Sequence, residues 1–159
     1  MDNLSRRRRS ELMARIKGKD TQPEMIVRKI VFAMGRRYRL HVRELPGAPD
    51  LVFPRDRKVI FVHGCFWHPH GHCHRGHTPT SRLEYWKPKL DGNRRRDLRN
   101  RQRLRRAGWT LLTIRECQLD DLPLVEQQLA AFLSSRWTCR VSKGIKRKCH
   151  VPSTGQRAE

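Results

Sequence analysis

Residues 50–63 read DLVFPRDRKVIFVH, and this stretch decides the fold class. Leu51 to Phe53 and Val59 to Val62 are short apolar runs of branched and aromatic side chains. The polar segment Pro54 to Lys58 lies between them, so the pair predicts an antiparallel hairpin. Neither run alternates with polar residues. Both are therefore expected in the middle of a sheet, covered on both faces.

Working outward, helices flank this hairpin. Thr21 as N-cap, Pro23 in the first turn and Glu24 closing a capping box predict a helix start. Ile26, Val27, Ile30, Val31 and Met34 then recur at helical spacing until Gly35 stops the run. Tyr38 to Val42 predicts another strand, followed by a turn at Pro46 and Gly47. Downstream, Leu83 to Ala107 predicts a long basic helix ended by Gly108, with Pro88 and Gly92 as candidate break points. Trp109 to Ile114 reads as a strand, with Trp109 in the core. Asp120 or Asp121 is expected to cap a last helix, with Pro123 early in it and Leu122, Val125, Leu129, Phe132 and Leu133 on one face. The class is α/β, a small central mixed sheet flanked by helices.

Charge then narrows the function classes. The chain has 159 residues, and 36 Lys+Arg against 15 Asp+Glu leave a net charge of +21. Such an excess speaks for phosphate polymers as partners, and the dominance of Arg favours bidentate phosphate contacts. No apolar run approaches the roughly 20 residues of a membrane span. The first ten residues carry Arg6 to Arg9 but no apolar core of a secretion signal, so a cytoplasmic nucleic-acid protein is expected. Residues 1–18 read as a basic arm with a short helix from Ser10 to Ile16, and 19–136 as one domain. Residues 137–159 read as an unstructured basic tail in which Cys139 and Cys149 are incidental.

Several residues have the chemistry of a site. Asp50 opens a strand that is otherwise apolar, where a carboxylate needs a cap, a partner or a metal. The hairpin brings the end of the next strand, and with it His63, alongside Asp50; His68 follows five residues on. A carboxylate and two imidazoles beside phosphate-seeking arginines suit phosphodiester hydrolysis, with Mg²⁺ on the carboxylate and a histidine taking a proton from water. A turn-capping Asp50 is the plain alternative. Cys65, His70, Cys73 and the distant Cys117 form a Cys₃His set that suits structural Zn²⁺, in a loop with too few aliphatic residues to order itself. His72, His74 and His77 compete as ligands. Phe66 and Trp67, with Tyr85 and Trp86 as a second pair, are aromatics among basic residues, as base stacking or wedging requires. Asp97, among arginines in N-R-R-R-D, is either a surface ion pair or a carboxylate that orients a catalytic histidine.

The segments K-D-T-Q-P-E (19–24), L-P-G-A-P-D (45–50), V-I-F-V-H-G-C-F-W-H (59–68), N-R-R-R-D (93–97), Gly108-Trp109 and Glu116-Cys117 together resemble the very short patch repair mismatch endonucleases. The resemblance covers about residues 10 to 136, and its H-G-C-F-W-H string is highly specific. It implies a restriction-endonuclease-like fold with a zinc-stabilised loop, and a nick 5′ to the T of a T·G mismatch left by deamination of 5-methylcytosine. It implies Asp50 and the Val62 backbone carbonyl as Mg²⁺ ligands, although Val62 stands where some members have Thr. His63 and His68 become phosphate-assisting and water-activating histidines supported by Asp97, with Glu24 near the metal. Cys65, His70, Cys73 and Cys117 become the zinc ligands. Phe66, Trp67 and Trp86 become intercalating rings, with Lys89 and Asn93 also on DNA. A monomer acting on mismatched double-stranded DNA, with other repair proteins as further partners, is expected. The alternatives are a restriction-type nuclease on paired DNA and a non-catalytic zinc-containing nucleic-acid binder.

Overall fold

The computed structural model describes residues 7, 8, 18–68, 70, 71, 73–76 and 83–134. The 137–159 tail, the expected helix Ser10 to Ile16, and His72 and His77 lie outside the described residues. Of the N-terminal arm, Arg7 and Arg8 are described, and both are helical.

The first long helix, α1, runs Gln22–Ala33. It is followed by β1 (Arg39–Leu40), β2 (Leu51–Phe53) and β3 (Lys58–His63). A 3₁₀ turn at His74–Gly76 precedes α2 (Leu83–Arg106) and β4 (Thr110–Arg115). A second 3₁₀ turn, Glu116–Asp120, leads into α3 (Leu122–Ser134). The sheet order is β1-β2-β3-β4, antiparallel except for the parallel β3–β4 pair. The hairpin reading holds, with Leu51 opposite Ile60 and Val52 opposite Val59. The two apolar strands are the central ones, which is why they carry no alternation.

The sheet divides two cores by side-chain parity. Leu51, Phe53, Ile60 and Ile114 point to the side covered by α1 and α3, where Val27, Val31, Val125, Leu129 and Leu133 meet them. Val52, Val59 and Phe61 point to the other side, against Leu104 of α2. His63 continues the parity of Val59 and Phe61, so it emerges on the α2 side.

Two glycine stops work as expected. Gly35 (φ 70°) and Gly108 (φ 79°) adopt the left-handed conformation that ends a helix without a Cβ clash. In each case the next residue closes the terminal turn, Arg36 N–H donating to the Val31 carbonyl at 3.3 Å and Trp109 N–H to that of Leu104 at 3.0 Å. Asp121 caps α3, its Oδ1 accepting the Leu124 N–H at 3.1 Å.

Four local expectations are corrected. The strand expected over Tyr38 to Val42 shrinks to two residues, because His41 turns into the left-handed region (φ 46°). α2 runs unbroken through Pro88 and Gly92. Pro88 removes one donor there, in a stretch held by the burial of Trp86 and Leu90 on either side. Leu122 is exposed rather than on the buried face of α3, and Trp109 is only half buried. Trp109 sits at the sheet margin, with the Arg57 guanidinium 5.2 Å from its ring.

One buried cation is unusual. Lys58 is 2% exposed, and its Nζ donates to the Phe132 carbonyl at 2.7 Å and the Leu133 carbonyl at 3.4 Å. It thereby caps the last turn of α3, where orphaned carbonyls and the helix dipole both favour a positive charge.

Candidate active site

The start of β2 and the end of β3 lie at the same end of the sheet because the two strands are antiparallel. Asp50 stands just before β2, and its Oδ2 accepts the Val62 N–H at 2.7 Å. N–H and C=O of one strand residue point to the same side, so the Val62 carbonyl is turned towards Asp50 as well. Burial pushes the Asp50 carboxyl up to about 6, against the opposing pull of that N–H.

His63 closes β3, and the turn after it returns His68 onto the same spot. Trp67 and His68 N–H groups both donate to the Gly64 carbonyl at 3.2 Å. The two imidazoles stack with centroids 3.8 Å apart and planes 17° from parallel. Burial, followed by the charge of His68, pushes His63 down to about 4, so it is neutral at neutral pH. His68 Nδ1 lies 2.5 Å from Asp97 Oδ2, which reaches in from α2. Asp97 is therefore no surface ion pair among arginines; it is the partner of a histidine.

Glu24, His41, Asp50, His63, His68 and Asp97 line one cleft of about 790 Å³. Sequence reasoning missed His41 and Arg28. His41 Nδ1 is 3.7 Å from Asp50 Oδ1, and its Nε2 is 2.9 Å from Arg28 Nη2. Arg28 is buried and also donates to Glu24 Oε2 at 3.0 Å and Asp20 Oδ1 at 2.5 Å. The i,i+4 spacing of Glu24 and Arg28 was the one legible signal. Glu24 differs from the expected capping box: its Oε1 accepts the Thr21 hydroxyl at 2.9 Å, while its Oε2 accepts the Asp20 N–H at 3.0 Å, one residue further out. Both oxygens are thus engaged within the protein. Arg101 and Glu116 also line the cleft without having been singled out. Glu116 accepts the Cys65 N–H at 3.2 Å and so ties the loop to the turn after β4.

Below the cleft, Cys65, His70, Cys73 and Cys117 bring their ligand atoms within 4.8 Å of one another. His70 Nε2 is 3.5 Å from both Cys65 Sγ and Cys117 Sγ. A tetrahedral ion with bonds of about 2.3 Å to sulfur and 2.0 Å to nitrogen separates S and N by about 3.5 Å, so the set fits a closed metal site. The side chain of His74, like His72 and His77, lies outside the described residues.

The aromatics form one cluster. The Phe66 ring is edge-on to Trp67 (4.9 Å) and to Trp86 (5.3 Å), and Tyr85 is edge-on to Trp86 (5.1 Å). Trp86 is buried, whereas Phe66 and Trp67 are half exposed at the cleft. Lys89 Nζ lies 5.2–5.6 Å from the rings of Trp67, Tyr85 and Trp86. Asn93 donates to the Trp67 carbonyl at 3.3 Å and so also holds this loop.

Comparison with known proteins gives a consistent result. The family described as "DNA mismatch endonuclease Vsr" matches residues 1–75. A type II nicking enzyme of Xanthomonas oryzae pv. oryzae is 48% identical over 132 residues, covering 83% of this chain and 96% of the relative. A type II nicking enzyme of Neisseria meningitidis is 36% identical, covering 80% of this chain and 91% of the relative. The DNA mismatch endonuclease Vsr of Escherichia coli is 36% identical over 131 residues, covering 82% of this chain and 83% of that protein.

Proposed function

The chain belongs to the Vsr family of DNA endonucleases, and we propose that it nicks one strand of duplex DNA 5′ to the T of a T·G mismatch, in a Mg²⁺-dependent hydrolysis. The observation that carries this reading is the convergence of Asp50, His63 and the His68–Asp97 pair on one cleft of a strongly basic chain. A non-catalytic DNA binder has no use for that register.

Each residue has a role that follows from its geometry. Asp97 accepts the Nδ1–H of His68, which leaves Nε2 as the acceptor that takes a proton from the attacking water. Neutral His63 stacks on His68, fixes its plane and offers a ring N–H to a phosphate oxygen. Asp50 keeps Oδ1 free of its Val62 bond, and with the Val62 carbonyl offers the hard oxygen donors that suit Mg²⁺. Bound there, Mg²⁺ supplies positive charge against that which develops on the phosphate in the transition state. Glu24 lines the cleft near the metal position and holds Asp20 and Arg28 in place.

Cys65, His70, Cys73 and Cys117 hold a structural Zn²⁺, since four protein ligands leave no open position for chemistry. Phe66 and Trp67 at the cleft edge wedge into the duplex beside the mismatch, backed by buried Trp86, with Lys89 and Asn93 beside them. Unstacking costs a few kcal/mol and is cheapest at a weakened pair, which favours a mismatch over paired DNA. The catalytic unit spans 19–136 and acts as a monomer, because one nick needs one site.

The test is a denaturing gel with each strand of a T·G duplex labelled separately, beside its fully paired control, across several sequence contexts. One Mg²⁺-dependent cut 5′ to the mismatched T is expected. Equal cutting of paired DNA would replace this reading with a restriction-type nuclease, and binding without cutting in every context with a plain DNA-binding role.

A further inference from the structure

The corner of the cleft next to Asp50 holds a second set of potential metal ligands. One ligand atom each from Asp20, Glu24 and His41 lies within 4.8 Å of the others. The centre of this set is taken by a side chain. The Arg28 guanidinium lies 2.5 Å from Asp20 Oδ1, 3.0 Å from Glu24 Oε2 and 2.9 Å from His41 Nε2. We infer that Arg28 is the resident cation of this pocket, standing where a second divalent ion would sit, and that its Nη2–H fixes the proton of His41 on Nδ1, facing Asp50.

A guanidinium stays charged and can only donate, so it both satisfies the pocket's acceptors and repels a divalent cation from the same space. For the same reason His41 Nε2 must accept in that contact, which puts the ring proton on Nδ1, 3.7 Å from Asp50 Oδ1. That separation is too long for a hydrogen bond and acts as a directed dipole. Asp50 is then held on both sides, by the Val62 N–H on Oδ2 and by His41 towards Oδ1. Asp20 (φ 55°) and His41 (φ 46°) both sit in the left-handed region, a backbone cost that the pocket's contacts offset. His41 and Arg28 are positioning residues in this scheme, and neither touches the reacting atoms. In its link to Asp50 the inference rests on the function proposed above.

The test counts Mn²⁺ bound to the full chain, with the Cys/His cluster first loaded with Zn²⁺ and the excess removed. Electron paramagnetic resonance of free Mn²⁺ reads the count without DNA or turnover. Arg28→Ala is expected to bind one more Mn²⁺ than the unmodified chain, because Asp20, Glu24 and His41 are vacated. Arg28→Lys, which keeps a charge in the pocket, is expected to keep the unmodified count. Equal counts for the chain and Arg28→Ala overturn the inference, and so does an added ion in Arg28→Lys. Should Arg28→Ala not fold, ¹⁵N-histidine spectra of the unmodified chain decide, with His41→Gln identifying the signals. A proton on Nδ1 alone supports the inference, and one on Nε2 or on both nitrogens overturns it. Asp50→Asn in the same titration separates the two readings: it removes an ion only if Asp50 is a metal ligand, and it leaves the difference made by Arg28 intact.

Discussion

His68 Nδ1 and Asp97 Oδ2 stand 2.5 Å apart, although 29 residues separate them in the chain. This contact turns a histidine in an irregular loop into a ring of defined tautomer, because a carboxylate can only accept. Asp97→Asn is expected to slow nicking by about 10²–10⁴-fold, the usual worth of a positioned acid or base. Duplex affinity is expected to change little. Single-turnover cleavage beside a binding titration checks both; a variant that binds weakly but cleaves normally when saturated contradicts the assignment.

Asp50 carries a pH signature. Its carboxyl is raised from 3.8 to about 6 by burial, so the folded state prefers the neutral form. A raised pKa contributes stability that is fully present below the unfolded value and is lost as pH rises through about 6. Asp50→Asn is therefore expected to abolish nicking and yet to melt higher than the unmodified chain above pH 6, by up to about 3 kcal/mol. Below about pH 4 the two are expected to melt alike. Thermal melts across this range without added Mg²⁺ test it, and a variant less stable at neutral pH refutes it.

Cys117 joins the turn after β4 to a loop that holds Cys65 and His70. Cys117→Ser is expected to lower zinc content from one per chain to near zero and to loosen the segment 64–76. Metal analysis together with limited proteolysis reads both changes. A zinc-free variant that keeps the protease resistance of the parent rules out a structural metal.

Lys58 caps α3 from inside the sheet. Lys58→Met keeps the aliphatic stem but removes the Nζ donor from the Phe132 carbonyl, while the Leu133 carbonyl keeps the Arg36 guanidinium at 3.3 Å; it is expected to cost about 1–3 kcal/mol. Urea unfolding checks this, with nicking at low denaturant expected to be unchanged, since Lys58 is at the far end of β3 from His63.

The elements were legible where the signal is local. Apolar runs in 51–62, helical spacing in 26–34 and Gly35 and Gly108 as stops all specify backbone conformation through neighbours a few residues away. The thiols of the Cys₃His set were legible too, because thiols in a loop without aliphatic content have few other uses, whereas the choice among the loop's histidines was not. What local pattern could not supply was the partnership of groups brought together by sheet pairing and helix docking. The sequence allowed two readings of Asp97, and packing of α2 across the sheet selected the pair with His68. The buried position of Trp86 likewise depends on Phe66 and Trp67 folding over it.

By itself, then, the sequence determined the α/β class, the central hairpin, the three thiols of the metal-like cluster and the polyanionic nature of the partner. Only the tertiary structure decided that His41 faces Asp50 and that Arg28 lies among Asp20, Glu24 and His41 beside it. The physical reason is range. Propensity and hydrophobic spacing act over one or two turns of chain, whereas a guanidinium 13 residues from His41 finds it only once β1 has paired with β2 beside α1.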